Sequence, residues 1–173
     1  MLYKGRLHFK QFIKTKRNRF GIKIYFVCPG HPEWQGFSWD FGVYYGAGTD
    51  YSIPDDVNQR PEDPRASELS KSEVIVVHLM QGLLNQQRHV ILDNWYSSLR
   101  LANYLLYKGT TMTGIIRPDR GVPAMLKVHR LEQKSSAFMR KGRVLMCKYQ
   151  DKKEVYSIST RYVHKCFFYK YII

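Results

Sequence analysis

Asp93 and Asn94 are the residues of this sequence best placed to do chemistry, because they directly follow the apolar run Val90-Ile91-Leu92. A short run of this kind is typical of a buried central strand. In α/β sheets, ligands bind beyond the carboxyl ends of the strands, where Asp93 would lie. Adjacent carboxylate and amide oxygens are ligands that Mg²⁺ takes, so Asp93 is a candidate metal ligand. The pattern alone favours the alternative that Asp93 caps the following turn, with Asn94 assisting.

The other carboxylates of the chain are poor partners for Asp93 in a catalytic site. Asp40 occupies an alternate position of a predicted strand and is expected to face solvent. Asp119, Asp151 and Glu154 adjoin basic residues in predicted turns, where charge balance explains them. Catalysis by two metal ions requires several converging carboxylates, which this pattern does not supply. The sequence also contains no G-x-S-x-G motif, P-loop, zinc-type cysteine pair or histidine ligand spacing.

A second candidate surface lies near the N-terminus, where basic residues are interleaved with the aromatic residues Phe9, Phe12, Phe20 and Tyr25. Lysine and arginine side chains contact phosphates and exposed rings stack on bases, so this segment is predicted to bind nucleic acid. The alternative is a solvated strand edge whose lysines prevent aggregation. The basic residues of this N-terminal cation set are Lys10, Lys14, Lys16, Arg17, Arg19 and Lys23.

The charge of the whole chain also favours a polyanionic partner. The 173 residues carry a formal net charge of +14, which exceeds what solubility requires at this size, so nucleic acid is the expected partner. Residues 1–30 and 118–173 are strongly basic, whereas residues 31–73 are acidic, which indicates distinct surfaces. A hydrophobic content of 44% excludes a disordered chain. The sequence contains no apolar window of 18 residues, so no membrane span is predicted.

The first predicted elements are two strands over residues 21–28 and 37–44, which a turn containing proline and glycine joins into a hairpin. Residues 46–69 lack periodicity and are predicted to form an exposed acidic loop. Ser70 and Glu73 match a capping box, in which the serine hydroxyl accepts from a free backbone N–H and the glutamate reaches back to the cap. The helix that this motif opens is predicted to run to about Gln87.

A strand–helix–strand unit follows and carries Asp93. Its strands are predicted over residues 90–92 and 111–116, and its helix over residues 98–108. Short connections of this kind imply parallel strands and a right-handed crossover, so the fold class is α/β. The next predicted elements, over residues 144–149 and 155–159, form a basic β-hairpin that is a candidate small lobe.

Several runs, in order and at compatible spacing, resemble signatures of piggyBac-type transposases. The most specific is Asp93 to Ser98 with the leucines that follow, which is similar to D-N-W/F/Y-F/Y-T/S-S-x-x-L-A-x-x-L. The matching runs are Tyr3 to Arg6, Lys10 to Lys16, Gly21 to Lys23, Gly36 to Gly46, Asp93 to Ser98, Gly114 to Arg117, Arg120 to Pro123 and Asp151 to Thr160. On these matches the chain is identified as a partial catalytic domain of that family.

The resemblance implies a ribonuclease-H-like domain, a mixed sheet with helices, that carries a small inserted β lobe. It assigns residues 1–117 to a truncated form of this domain, 118–162 to the lobe and 163–173 to a divergent tail. It further implies cut-and-paste DNA transposition in the nucleus, in which carboxylates hold two divalent ions, usually Mg²⁺, for strand cleavage and transfer. Asp93 matches the second catalytic aspartate, a direct metal ligand. Arg117 and Arg120 lie in matching runs and join the predicted DNA-contacting residues.

The departures from the family pattern carry expectations of their own. The first catalytic aspartate of the family falls upstream of Met1, and no run after Thr160 matches its last carboxylates. The chain is therefore expected to be catalytically incomplete and to hold Mg²⁺ weakly or not at all. The alternative is a domesticated DNA-binding remnant without catalysis, whose partner is a full-length transposase or a second copy of the chain. Without the strand of the first aspartate, neighbouring strands would expose unpaired backbone, so the chain is expected to be marginally stable.

Overall fold

The computed structural model describes residues 3–14, 17, 19–53 and 68–161. The predicted acidic loop over residues 46–69 lies partly outside these residues, and the predicted tail over residues 163–173 lies wholly outside them. The chain forms two compact units. The first unit comprises Met1–Pro54 and Val74–Gly82, and the second comprises Asp55–Glu73 and Leu83–Ile173.

The first unit contains two short antiparallel ladders. Strand β1 (Gln11–Phe12) pairs with β2 (Phe20–Gly21), and β3 (Ile24–Val27) pairs with β4 (Asp40–Val43). The second ladder confirms the predicted hairpin. The first ladder was not predicted, because strands of two residues are too short for an alternating pattern to be recognised.

The β3–β4 hairpin has one covered and one exposed face. Tyr25 is buried, and the Tyr51 ring contacts it edge-on at a centroid distance of 6.2 Å. A Cβ atom at Gly42, opposite Tyr25, would lie 2.5 Å from the Tyr51 hydroxyl, so a larger residue would displace this ring. On the other face, Phe26 and Phe41 pair across the strands and are 56% and 59% exposed.

Helix α1 (Lys71–Leu79) begins as predicted but ends two turns early, so the predicted end at Gln87 is wrong. A 3-10 turn over Gln81–Leu83 follows the helix. Asn85 and Gln87 then have φ values of 61° and 56°, in the left-handed region that an α-helix cannot contain. These two residues exclude a helix that runs to Gln87.

The capping box at the start of α1 is half confirmed. Glu73 Oε2 accepts the Ser70 N–H at 2.6 Å, as the motif predicts. The Glu73 N–H, however, donates to the Ser70 carbonyl at 2.8 Å rather than to the serine hydroxyl. That hydroxyl lies 3.2 Å from the Ser72 hydroxyl instead.

The second unit is built on a five-stranded mixed sheet in the order β5-β6-β9-β8-β7. Strands β5 and β6 are parallel and the other pairings are antiparallel, so the predicted strand–helix–strand unit and the α/β fold class are confirmed. The strands are β5 (His89–Leu92), β6 (Thr111–Ile115), β7 (Ser136–Lys141), β8 (Val144–Gln150) and β9 (Glu154–Ser159). The helices are α2 (Leu99–Tyr107), which joins β5 to β6, and α3 (Ala124–Val128), which precedes β7.

The placement of β5 corrects the prediction that it is buried and central. Within the described residues β5 pairs with β6 alone, and Ile91 at its middle is 78% exposed. The apolar run fits a buried strand, but its composition does not show which neighbours are present. The predicted basic hairpin forms from β8 and β9, and β9 joins it to β6, with Ser159 opposite Thr113.

The core of the second unit lies between α2 and the sheet. Leu101, Ala102 and Leu105 of α2 and Met112 of β6 are completely buried. No helix in the described part of the chain is long and apolar enough to cross a membrane.

Candidate functional site

Asp93 directly follows the carboxyl end of β5 and is exposed. Its Oδ1 accepts the Trp95 N–H at 2.9 Å, and its carbonyl accepts the Ser97 hydroxyl at 2.9 Å. Asp93 therefore caps the turn, as the simpler interpretation of the sequence predicts. The cap occupies only one carboxylate oxygen of an exposed side chain, so capping and ligand binding are compatible.

Buried serines and one glycine fix the turn that holds Asp93. Ser98 caps α2, since its hydroxyl accepts the Leu101 N–H at 3.0 Å from an extended backbone. Ser97 is completely buried and packs against β6 at Gly114. Any side chain at Gly114 would collide with the Ser97 hydroxyl and the Leu92 carbonyl, so glycine lets the turn approach the strand.

Arg117 and Trp95 form a stacked pair at the same end of the sheet. Arg117 lies two residues beyond β6, and its guanidinium carbon lies 5.8 Å from the centroid of the Trp95 ring, within cation–π range. Trp95 is 48% exposed. The Arg117 Nε atom is buried without a hydrogen-bond partner among the described residues, and Asp119 Oδ1 lies 3.9 Å from it. Asp93 and this pair follow the carboxyl ends of adjacent parallel strands.

Arg120 is held inside the second unit. Its Nη1 lies 3.5 Å from Oε1 of the fully buried Glu73 and 3.3 Å from the Ser70 hydroxyl. Arg100 approaches the same carboxylate, with its Nη2 at 3.5 Å from Oε2. The Arg120 charge is thus largely engaged by a buried acid, and Arg117 is the more accessible of the two predicted cations.

Part of the N-terminal cation set lies in the loop that joins β1 to β2. Lys14, Arg17 and Arg19 are exposed there, and the Arg19 carbonyl accepts the Ile13 N–H at 2.8 Å, which closes the loop. Lys16 lies outside the described residues. The short ladder therefore gathers several cations on one exposed turn.

The other two members of the N-terminal cation set stack on aromatic rings. Lys10 Nζ lies 4.8 Å from the Phe20 ring centroid and donates to the Gly5 carbonyl at 3.1 Å. Lys23 Nζ lies 4.9 Å from the Tyr25 centroid and 5.6 Å from the Tyr44 centroid. These rings hold the ammonium groups at the surface, where the charge can act on an anion.

Sequence reasoning missed Lys148, a buried cation in β8 that is 1% exposed. Its Nζ lies 2.8 Å from Glu154 Oε1 and donates to the carbonyls of Lys127 and His129 at 2.9 and 2.8 Å. Burial by itself lowers the pKa of Lys148, but hydrogen bonds to Glu154 and Tyr156 outweigh it and raise the pKa above its ordinary value. The register, which sets Lys148 opposite Tyr156, is the signal that would have found this network.

The donor set around Asp93 can be tested for its fit to a divalent ion. No group of three or more histidine, cysteine, aspartate or glutamate side chains could hold a metal within the described ranges. Mg²⁺ at phosphate-processing sites is held by one or two carboxylates together with substrate phosphates. The exposed Asp93 carboxylate therefore fits the role of one ligand of an ion that other groups also hold.

Comparisons with known proteins agree with the geometry. A family model described as Transposase IS4 matches residues 1–171. The cryo-EM structure of a piggyBac transposase synaptic complex with hairpin DNA matches at a TM-score of 0.71 and 26% sequence identity. The match covers 97% of this chain and 32% of that chain, so this chain spans about a third of that protein's length. These findings confirm the family resemblance and the α/β, ribonuclease-H-like fold class.

Proposed function

We propose a function from the premise that this chain belongs to the Transposase IS4 family, whose model matches residues 1–171. We infer that it is a segment of a piggyBac-type DNA transposase that contributes Asp93 to a divalent-metal site for cut-and-paste transposition. The observation that carries the proposal is the exposed Asp93 carboxylate directly beyond β5, at the same end of the sheet as the cation–π pair of Trp95, which follows β5, and Arg117, which follows β6. This is the end of an α/β sheet where ligands bind.

The residues of this chain would act on DNA through orientation and charge. Asp93 together with further ligands would hold Mg²⁺, which would supply Lewis-acid activation of the attacking oxygen. The Asx turn aims the Asp93 carboxylate, and the buried Ser97 and Ser98 hold that turn against the sheet. Arg117 is suited to a backbone phosphate and Trp95 to a stacked base.

The exposed turn between β1 and β2 supplies the second contact to DNA in this proposal. Lys14, Arg17 and Arg19 carry positive charge there, and counterion release upon phosphate contact would make binding strongly dependent on salt. DNA is therefore the proposed partner and the nucleus the proposed location. A second copy of the chain or a full-length transposase is the proposed protein partner, because one carboxylate alone does not complete a two-metal site.

The metal role of Asp93 is tested with Mn²⁺ as a paramagnetic probe in the presence of a short DNA duplex. Mn²⁺ is expected to broaden the NMR signal of the Trp95 indole N–H, because Trp95 adjoins Asp93 in the turn. Asp93→Asn should abolish the broadening, whereas Asp119→Asn should preserve it. Equal broadening in wild-type protein and Asp93→Asn would refute the assignment.

We also propose that the 173-residue chain alone does not cleave DNA. The support is that Asp93 has no partner carboxylates forming a metal-binding group among the described residues. Transposon-end DNA incubated with the chain and Mg²⁺ or Mn²⁺ should remain intact. Nicking that disappears in Asp93→Ala would contradict this part of the proposal and establish Asp93 as catalytic.

The second candidate function is DNA binding without catalysis, which the N-terminal cation set favours. The logarithm of the binding constant should fall linearly with the logarithm of salt concentration, at about 0.9 per neutralised phosphate. A variant with Lys14, Arg17 and Arg19 replaced by alanine should lower that slope by between 2 and 3, at about 0.9 for each lost contact. Replacing Lys152 and Lys153, which lie in another exposed turn, is the control, and it removes two charges instead of three. Binding that is insensitive to salt would exclude this function.

A further inference from the structure

The second unit contains a basic cavity at the end of the sheet that is opposite to Asp93. The cavity has a volume of about 620 Å³, and Arg88, His89, Thr111, Arg143 and Arg161 contribute to its lining. His89 and Thr111 begin the parallel strands β5 and β6, whereas Asp93 lies beyond the other end of β5. This cavity is therefore separate from the proposed metal site.

The topology explains why three arginines from distant parts of the sequence meet here. Arg88 precedes β5, Arg143 precedes β8, and Arg161 follows β9 by two residues. Strand β9 runs antiparallel to both β6 and β8, so its carboxyl end adjoins the amino ends of its neighbours. This end of the sheet thus brings the three arginines to one pocket.

The backbone around two of these arginines is fixed by specific contacts. The Met112 N–H donates to the buried Thr160 hydroxyl at 2.8 Å, and the Thr160 N–H donates to the Met112 carbonyl at 2.9 Å, which anchors Arg161 next to β6. Arg143 lies in a two-residue turn between β7 and β8, in which Gly142 has a φ of 57°. Both arginines extend from well-held ends of strands.

The remaining lining supplies polar groups without negative charge. His89 Nδ1 lies 2.9 Å from the Thr111 hydroxyl. Burial, and secondarily the charge of Arg161, lower the pKa of His89, so the imidazole is neutral at physiological pH. None of the eight described lining residues is acidic. Three cations that share a concave surface repel one another, and an anion bound among them removes that repulsion.

We propose that this cavity binds a phosphate group, either of a nucleic-acid backbone or of a free phosphate compound. Guanidinium groups pair with phosphate oxygens through two parallel hydrogen bonds, which a cluster of arginines from separate strands can supply from several sides. Phosphate binding here requires neither Asp93 nor a metal ion. The site thus goes beyond the function proposed above, and it survives if that function fails.

Two probes separate the two sources of phosphate. Binding of inorganic pyrophosphate to the full chain is measured by isothermal titration calorimetry, and binding of a 20-base-pair DNA duplex by fluorescence anisotropy over a range of salt concentrations. The test variant is Arg143→Ala/Arg161→Ala. The matched control, Lys152→Ala/Lys153→Ala, removes the same charge from the turn at the opposite end of β8 and β9.

A nucleic-acid source predicts that the test variant binds the duplex about tenfold or more weakly than wild type, with a salt slope lower by about 2, while the control changes little. A free-phosphate source predicts loss of pyrophosphate binding in the test variant with unchanged duplex binding. The proposal is overturned if wild-type protein binds neither probe, if the test variant binds both normally, or if the control loses as much binding. Circular dichroism verifies that the variants keep the wild-type fold.

Discussion

The two-stranded ladders of the first unit and the helix-covered sheet of the second differ in how much apolar surface they bury. In the first unit, strands of two to four residues form two-stranded ladders, and Phe26 and Phe41 remain more than half exposed. In the second, strands of up to seven residues form a five-stranded sheet, and Leu105 and Met112 are completely buried. A two-stranded hairpin is marginally stable by itself, whereas a larger sheet covered by a helix is not. The comparison indicates that the helix-covered sheet of the second unit is more stable than the two-stranded ladders of the first.

The largest expected effect comes from removing core volume in the second unit. Leu105→Ala should lower the free energy of unfolding by about 2–5 kcal/mol, because it leaves a cavity beneath α2. Urea unfolding followed by circular dichroism measures this change. Phe41→Ala deletes a larger side chain from the first unit, yet it should cost less than about 1 kcal/mol because that side chain is mostly exposed. Equal losses in the two variants would break the comparison.

A smaller difference in unfolding free energy is expected between replacing the buried Lys148 of the second unit and replacing the ring-stacked Lys10 of the first. Lys148→Met should cost about 1–3 kcal/mol, because it leaves the carbonyls of Lys127 and His129 without their donor. Lys10→Met removes only a surface contact with the Phe20 ring and should cost less than about 1 kcal/mol. Urea unfolding at pH 7 compares the variants. A larger loss for Lys10→Met would show that the first unit carries more of the stability.

A weaker, pH-dependent effect is expected from His89 in the second unit. Its pKa is lowered by burial and by Arg161, so the unfolded chain takes up a proton at a higher pH than the folded chain. Stability should therefore fall as pH decreases from about 6.5, the ordinary value, towards the lowered pKa. Comparing urea unfolding at successive pH values in wild type and His89→Gln isolates this contribution. A pH dependence that is identical in the two proteins would exclude His89 as its source.

The smallest change in stability is expected from making the exposed face of the first unit polar. Phe26→Ser/Phe41→Ser should alter the free energy of unfolding by less than about 1 kcal/mol, because little apolar area is lost from the core. The same variant should bind less of the dye ANS and self-associate less in light scattering, since it loses an exposed apolar pair. Unchanged dye binding would show that Phe26 and Phe41 are not exposed to solvent in solution.

The elements predicted correctly are those that local patterns define. The β3–β4 hairpin follows from alternation around a turn, and the β5–α2–β6 unit follows from a short apolar run and the glycine after α2. The Asp93 turn follows from an aspartate and asparagine after a strand. In each case the forces that decide the structure act between residues that are close in the sequence.

The features that escaped prediction depend on distant partners. Nothing near β5 indicates that it is an edge strand, and nothing near Gln87 indicates that the backbone there is left-handed. Lys148 resembles any lysine of an alternating strand until the register sets Tyr156 opposite it. Arg88, Arg143 and Arg161 likewise meet only because β9 runs antiparallel to its two neighbours. Such groupings depend on which strands pair and in which register, and the sequence of a single strand does not show this.

The proposed metal site depends on Gly114, a residue of the neighbouring strand. Glycine has only a hydrogen atom in place of a side chain, whereas a Cβ atom at this position would collide with the Ser97 hydroxyl and the Leu92 carbonyl. The aim of the Asp93 carboxylate is therefore set from the neighbouring strand, by a residue that touches no ligand. A mutational screen for metal or DNA binding should recover Gly114 alongside Asp93, although chemical inspection of the site would pass over it. The orientation of the Asp93 carboxylate thus depends on how closely the turn after β5 packs against β6.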